Sequence, residues 1–244
     1  MNELHVLPVT GLPELREGDD LAGMIAERVE LEDGDVVVVA QKAISKIEGR
    51  VVRLDGIEAS ARAEEIAGDG GDAARRIEVI LREARRVVRV RPPLVICETQ
   101  HGFICASAGV DASNAPEPGM LVLLPVDPDA SAARMRDELQ ALAGADVGVI
   151  VSDSFGRPWR QGTTDVAIGA AGVEVLRDLH GERDPIGYEL HATVIAVADE
   201  IAGAAQLVSG KLERVPVTLV RGLDVRGDGK ATDIPIPPER DLFG

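Results

Sequence analysis

Val147 to Ser152 is a run of small and β-branched residues, and Asp153 follows it directly. A carboxylate at the carboxyl end of a buried strand faces the crevice where ligands of open sheets bind. Ser154 adds a hydroxyl, Gly156 permits a turn, and Arg157 and Arg160 follow at once. Such a group can ligate a divalent cation through oxygen and clamp phosphates through guanidinium. The plainer reading is a capped turn with arginines in solvent. A second acidic loop, Gly109-Val110-Asp111-Ala112-Ser113-Asn114, also follows a predicted strand. Alone it reads as an Asx-turn. Two hard carboxylates from different strands, Asp111 and Asp153, are a usual means of holding Mg2+ or Mn2+ against substrate phosphates. Ala43 to Arg50 brings Lys46 and Arg50 just after the run Asp35 to Gln41, and Gly11-Leu12-Pro13-Glu14-Leu15 is a turn that displays backbone amides. Lys46 reads equally as a surface lysine.

Other chemistries lose their usual support. Gly227-Asp228-Gly229-Lys230 is followed by Ala231, so no phosphate-binding GxxxxGK[ST] exists, and no GxGxxG follows a strand. His5, His101, His180 and His191 lack ligand spacing, and Cys97 and Cys105 alone cannot build a thiolate zinc site. Oxygen-ligated metals gain by elimination.

These residues need elements to position them. His5–Val9, Asp35–Gln41, Val87–Val90, Leu94–Thr99, Phe103–Gly109, Met120–Pro125, Val147–Asp153 and Val215–Gly222 read as strands. Gln100-His101-Gly102 suits a hairpin turn, which would put Cys97 and Cys105 on paired strands as buried thiols. Helices are predicted from Asp19 or Asp20 through Leu21, Ile25 and Val29, over Ala59–Ala67 and Asp72–Arg86, and from Asp129, as its cap, to Leu142. His191 to Gly210 reads as a strand entering a helix. Gly68 to Gly71 reads as a linker, Ser154 to Gly162 as a Gly/Pro-broken loop, and 224–244 as a tail, mobile by default. The strands and helices mix without a strict βαβ rhythm, so the fold class is α+β rather than a doubly wound sheet.

The chain has 244 residues, 45% hydrophobic and only 2% aromatic, so Val, Ile, Leu and Ala must form its core. Its net charge of −16, from 26 basic against 42 acidic residues, disfavours a nucleic-acid surface. Among the basic residues only Lys42, Lys46, Lys211 and Lys230 are lysine. No apolar run approaches the ~20 residues that span a bilayer, and no basic n-region precedes an apolar stretch. A cytoplasmic chain without membrane contact is expected.

Taken in order, the segments VxGLPE (9–14) with GDDL (18–21), AxSKxEGR (43–50), AGxDxSN (108–114), SDSFGRPWRxG (152–162), ADEIA (198–202) with LVxGK (207–211), and VPVxLVRGL (215–223) closely resemble the coenzyme F420:L-glutamate ligase family. The wording Gly156-Arg157-Pro158-Trp159-Arg160 resembles the bacterial branch. The resemblance implies one ligase domain over 1–223 in two interleaved lobes, a mixed α/β F420-ligase-like fold, and an intertwined homodimer. It implies GTP-dependent joining of L-glutamate to F420-0, followed by γ-linked extension. Mn2+ or Mg2+, as two ions, and K+ are the implied cofactors.

Carried over by motif, Asp111 and Asp153 resemble the carboxylates of one metal site, and Ser154 resembles a hydroxyl ligand of a second. Asn114 resembles a guanine contact, Leu12, Pro13, Glu14 and Leu15 a nucleotide-binding turn, and Lys46 a phosphate-contacting lysine. Gln41 and Lys42 replace a small-hydroxyl pair of archaeal members. Ser209-Gly210-Lys211 stands where those members have an acidic nucleotide loop, so Lys211 cannot supply a metal ligand there. The nucleotide, F420-0 and glutamate are all anionic, so the site must be locally positive, through Lys46, Arg157, Arg160 and the metals. Glu48 and Glu200 are candidate bases by position only. Two other readings stand beside this one: a nucleotide-dependent carboxylate-amine ligase on another substrate, and a non-catalytic nucleotide- or F420-binding module.

Overall fold

Every residue of the run Val36–Val39 is buried, which in a strand means hydrophobic packing on both faces. The sheet is built around it. The computed structural model describes residues 3–242 apart from Asp69. Phe243 and Gly244 of the expected tail, and Asp69 of the expected linker, lie outside the described residues.

The elements in chain order are β1 (His5–Pro8), α1 (Leu21–Ala26), β2 (Val36–Ala40), α2 (Gln41–Ile47), β3 (Val51–Arg53), α3 (Ala61–Ala67) and α4 (Asp72–Glu83). Then come β4 (Ala84–Arg91), β5 (Leu94–Thr99), β6 (Ile104–Ala106), β7 (Met120–Val122) and α5 (Pro128–Ala143). The chain continues through β8 (Gly148–Arg157), β9 (Arg160–Ala171), β10 (Arg177–Asp178), β11 (Val194–Ile195), α6 (Val197–Ser209) and β12 (Val217–Arg221).

The main sheet has the order β1-β12-β2-β8-β9. Only β2 and β8 in it run parallel. Side chains alternate across a strand, so one face carries Val37, Val39, Val149, Val151, Val217 and Leu219, which pack on Leu21 and Ile25 of α1 and on Met135 and Leu139 of α5. The other carries Val36, Val38, Ile150 and Val220, which pack on Ala198, Ile201, Ala202 and Ala205 of α6. The class is mixed α and β, as expected, with helices on both faces of the sheet. A separate cluster within residues 51–123 joins Ile77 and Ile80 of α4 to Val95 and Cys97 of β5 and Leu121 of β7. Cys97 and Cys105 face each other in register between β5 and β6, and both are buried free thiols.

Several boundaries moved. The first helix ends at Ala26, short of Val29, and Asp20 is its cap through Gly23 N at 2.8 Å. The helix expected to reach Arg86 stops at Glu83, because Arg85 and Arg86 already lie on β4 and pair with Glu98 of β5. Gln41 opens α2 instead of closing β2. Asp127, ahead of Pro128, caps α5 by accepting from Ala130 N at 2.9 Å. Asp129 does not cap it. Its buried carboxylate accepts instead from Ala170 N, Ala231 N and Thr232. That contact is possible because residue 169 is glycine: a Cβ there would lie 2.2 Å from the Pro128 carbonyl oxygen. The tail is also docked in part, since Val225 and Ala231 are buried against the α6 face of the sheet.

The expected loop Ser154–Gly162 is the end of a long β8–β9 hairpin. Gly156 pairs with Thr163 in extended backbone, while Pro158 and Trp159 make the turn, Trp159 at φ 55°. No helix among the described residues is long and apolar enough to cross a membrane.

Candidate active site

Ala40, the last residue of β2, pairs with Ser152 of β8, and the chain turns from there straight into α2. A cleft opens beyond this parallel pair, where strand carboxyl ends leave room for ligands. Its lining gathers segments distant in sequence. Leu12, Pro13, Glu14 and Leu15 form one wall. Gln41, Lys42 and Lys46 come from α2, and Asn114 from the loop before β7. Ser209, Gly210 and Lys211 come from the end of α6, where Gly210 adopts φ 60°.

Asp153 and Ser154 line the cleft from within β8. Asp153 was expected at a strand end but lies mid-strand, because the hairpin continues to Arg157. Burial pushes its carboxyl up to about 7, although Lys42 and Lys211 pull the other way. Part of the upward push comes from Asp165, a lining carboxylate the sequence reasoning missed. Asp165 sits opposite Ser154 on β9. Its Oδ1 accepts from Ser154 Oγ at 2.6 Å and its Oδ2 from Ser152 Oγ at 3.2 Å. Gln206 of α6 holds this pair by accepting from Asp165 N at 3.1 Å. Asp199, two turns earlier on α6, accepts from Ala167 N and so fastens the same helix to β9. Had 152–165 been read as a hairpin closing at Pro158-Trp159, plain counting would have put Asp165 across from Ser152; a register shift between Gly156 and Arg157 moves it to Ser154.

The cationic side of the cleft differs from the expected one. Arg157 and Arg160 are exposed at the hairpin tip and do not line it. Lys42, Lys46, Lys211 and Arg214 do. Three of the four lysines of a chain of net charge −16 therefore meet in one cleft. Lys46 is buried and pairs with Glu14. Arg50, offered as a further cation, instead holds Glu83 at 2.6 Å and the Leu124 carbonyl. Gln41 commits its amide nitrogen to Ser45 Oγ and Leu123 O. Glu48 pairs with Arg134, and Glu200 is exposed on α6; neither lines the cleft.

Asp111 stands behind Lys42 and does not itself line the cleft. Lys42 Nζ donates to Asp111 Oδ2 at 2.6 Å, and Ser113 N and Ser113 Oγ also donate to that carboxylate. These partners hold the Asp111 carboxyl down at about 2 against the cost of burial. The two aspartates are thus linked through one lysine: Lys42 bonds Asp111 and acts electrostatically on Asp153. Hard oxygen donors remain on the Asp153 side. A half-buried carboxylate that resists ionisation, a hydroxyl and a second carboxylate across the strand fit one small divalent cation, which ordinarily takes one or two carboxylates and completes its shell with phosphate and water. Among the described residues no group of three or more His, Cys, Asp or Glu is placed to hold a metal unaided.

A family model described as F420-0:Gamma-glutamyl ligase matches residues 11–222. A Methanopyrus kandleri protein named coenzyme F420:L-glutamate ligase is 48% identical over 246 residues, 98% of this chain and 97% of the relative. Proteins of the same name from Archaeoglobus fulgidus and Methanocaldococcus jannaschii are 44% and 43% identical, covering 98% and 95% of this chain and 96% and 94% of their own lengths.

Proposed function

Since the chain belongs to the F420-0:gamma-glutamyl ligase family and is on that ground an enzyme, we propose that it joins L-glutamate to coenzyme F420-0, and then to the growing γ-linked tail, at the expense of GTP. The observation that carries the reading is the meeting of Lys42, Lys46, Lys211 and Arg214 with Asp153 in a single cleft of a strongly acidic chain. A net charge of −16 repels anionic substrates only weakly beyond ~8–10 Å at ordinary salt. A local cluster of cations is what phosphates and carboxylates need at close range.

Amide formation in water requires an activated carboxylate. The γ-phosphoryl group of GTP passes to the F420-0 carboxylate, giving an acyl phosphate and GDP. The neutral amine of glutamate then attacks the acyl carbon, and phosphate leaves. Phosphoryl transfer of this kind depends on positioning and charge stabilisation more than on covalent help from the protein. Lys46 and Lys211, from opposite walls, would hold phosphate oxygens. Leu12 to Leu15 and Asn114 would seat the nucleotide. Asp153 and Ser154, with Asp165 fixing the serine hydroxyl, would hold Mn2+ or Mg2+. A divalent ion there supplies charge neutralisation on the phosphate oxygens. K+ as a monovalent activator, a homodimer in the cytoplasm and a place near the bacterial branch belong to the same proposal, the last on Gly156-Arg157-Pro158-Trp159-Arg160 alone.

Mass spectrometry of the deazaflavin after incubation with F420-0, glutamate, GTP and Mn2+ tests it. A ladder in glutamyl steps is expected. GDP release that needs a different carboxylate would move the chain to another acceptor. GTP binding with no GDP released from the complete mixture would make it a binding module. Lys46→Met is expected to weaken GTP binding by about 10–100-fold, the worth of one hydrogen bond to a charged group. Titration calorimetry with GTP reads this directly, and an unchanged affinity would remove Lys46 from the phosphate site.

A further inference from the structure

Lys42 is the least expected residue of the cleft. Its ammonium has three N–H donors, and the structure places three oxygens around it: Asp111 Oδ2 at 2.6 Å, Ser113 Oγ at 2.6 Å and the Ser113 carbonyl at 2.8 Å. The loop that was to supply a metal ligand is therefore wrapped around a cation belonging to the protein. Helix α2 begins at the end of β2, which fixes where Lys42 starts, and the side chain in this ion pair is only 14% exposed. Asp111 Oδ2 also accepts from Ser113 Oγ, which fills that oxygen. A divalent ion using the same oxygen would sit within hydrogen-bond reach of the ammonium, and two like charges at that distance repel strongly.

We propose that the Lys42 ammonium is the resident cation on the Asp111 side of the cleft, so that this chain takes one divalent ion, on the Asp153 and Asp165 side, where two were expected. The inference rests on the metal-dependent ligase reading above. Under it, Asp111 is a positioning residue: with Lys42 and Ser113 it ties the loop that presents Asn114, held at φ 56°, to helix α2. Lys42 balances the Asp111 charge, and Asp153 and Asp165, which have serine hydroxyls and more distant lysines around them but no direct ion pair among the described residues, are left to attract the one metal.

Counting bound Mn2+ by electron paramagnetic resonance, in the presence of a slowly hydrolysed GTP analogue, tests this without reference to turnover. The unaltered protein is expected to bind one tight Mn2+ per chain, and Lys42→Ser, which removes the ammonium and leaves a hydroxyl, is expected to bind two. Asp111→Asn is expected to keep the single Mn2+ with affinity changed less than about threefold, a difference of under ~0.7 kcal/mol. Two tight ions in the unaltered protein, a single ion in a folded Lys42→Ser, or a tenfold or larger loss in Asp111→Asn would overturn the inference while leaving the ligase reading intact. No bound Mn2+ at all would overturn both. Should Lys42→Ser fail to fold, the count in the unaltered protein and the Asp111→Asn affinity decide.

Discussion

Asp153→Asn is expected to lower turnover by at least about 10²–10³-fold at saturating Mn2+, the scale seen when one central electrostatic group is removed from a site. The carboxylate lines the cleft beside Lys42 and Lys211 and is the acid best placed to hold a cation against phosphate. Steady-state kinetics with F420-0, glutamate and GTP measures the loss, and near-normal turnover would remove Asp153 from the mechanism. The same variant should move stability in the opposite direction. Burial holds the Asp153 carboxyl at about 7 in the folded chain against an ordinary 3.8. Between those values the fold binds a proton that the unfolded chain has released. The stabilisation from that proton is complete below about pH 4 and is lost as pH rises through 7. Asparagine keeps the neutral form at every pH. Without divalent metal, Asp153→Asn should therefore gain on the unaltered protein as pH rises from about 4 to 7 and keep that gain above 7, by at most about 4 kcal/mol at ~1.4 kcal/mol per pH unit. Urea unfolding at pH 5 and pH 8.5 shows it. A variant less stable than the unaltered protein at pH 8.5 would mean that the charged carboxylate already has adequate partners in the fold.

What could be read in advance divides along physical lines. Val36–Val39 and Val149–Val151 announce themselves as strands because both faces are buried and β-branched residues fill both. Local pattern alone did not bring Leu12, Lys46, Asn114 and Lys211 to one place; that expectation came from the ordered motifs of a family. The hairpin β8–β9 was hidden because Gly156, Pro158 and Gly162 look like strand breakers, whereas Pro158 occupies the turn and Gly156 adopts an extended conformation. Missing the hairpin had two consequences. It left Arg157 and Arg160 free to be imagined at the cleft, and it concealed Asp165, whose place is legible only through cross-strand register. Helix α2 was missed because seven residues are too few for a 3.6-residue period to stand out beside a strand. No composition rule separates Lys42, a lysine folded onto an aspartate 69 positions away, from a lysine facing solvent.

Asp129→Ala is expected to cost about 3–4 kcal/mol of stability, well above the ~1 kcal/mol of losing an ordinary helix cap. The difference lies in what the carboxylate holds. Its Oδ1 accepts from Ala170 N at 2.8 Å and Ala231 N at 2.9 Å, and its Oδ2 from Thr232 Oγ1 at 2.8 Å. Ala170 and Ala231 are both buried, so truncation leaves two backbone N–H groups without a partner or water, at about 1–3 kcal/mol each. Asp129→Asn retains one acceptor oxygen and should lose about half as much. Asp127→Ala, which removes the real cap of α5, is the internal comparison. Urea midpoints of the three variants order them, and an Asp129→Ala no worse than Asp127→Ala would reduce Asp129 to a first-turn acid. The contact matters beyond its energy. Through one side chain it joins the start of α5, the inner end of β9 and the segment 231–232, and β9 is the strand that sets Asp165 across from Ser154. Loss of that anchor should therefore also loosen the register on which the cleft depends, seen as faster amide exchange along β9 than along β2.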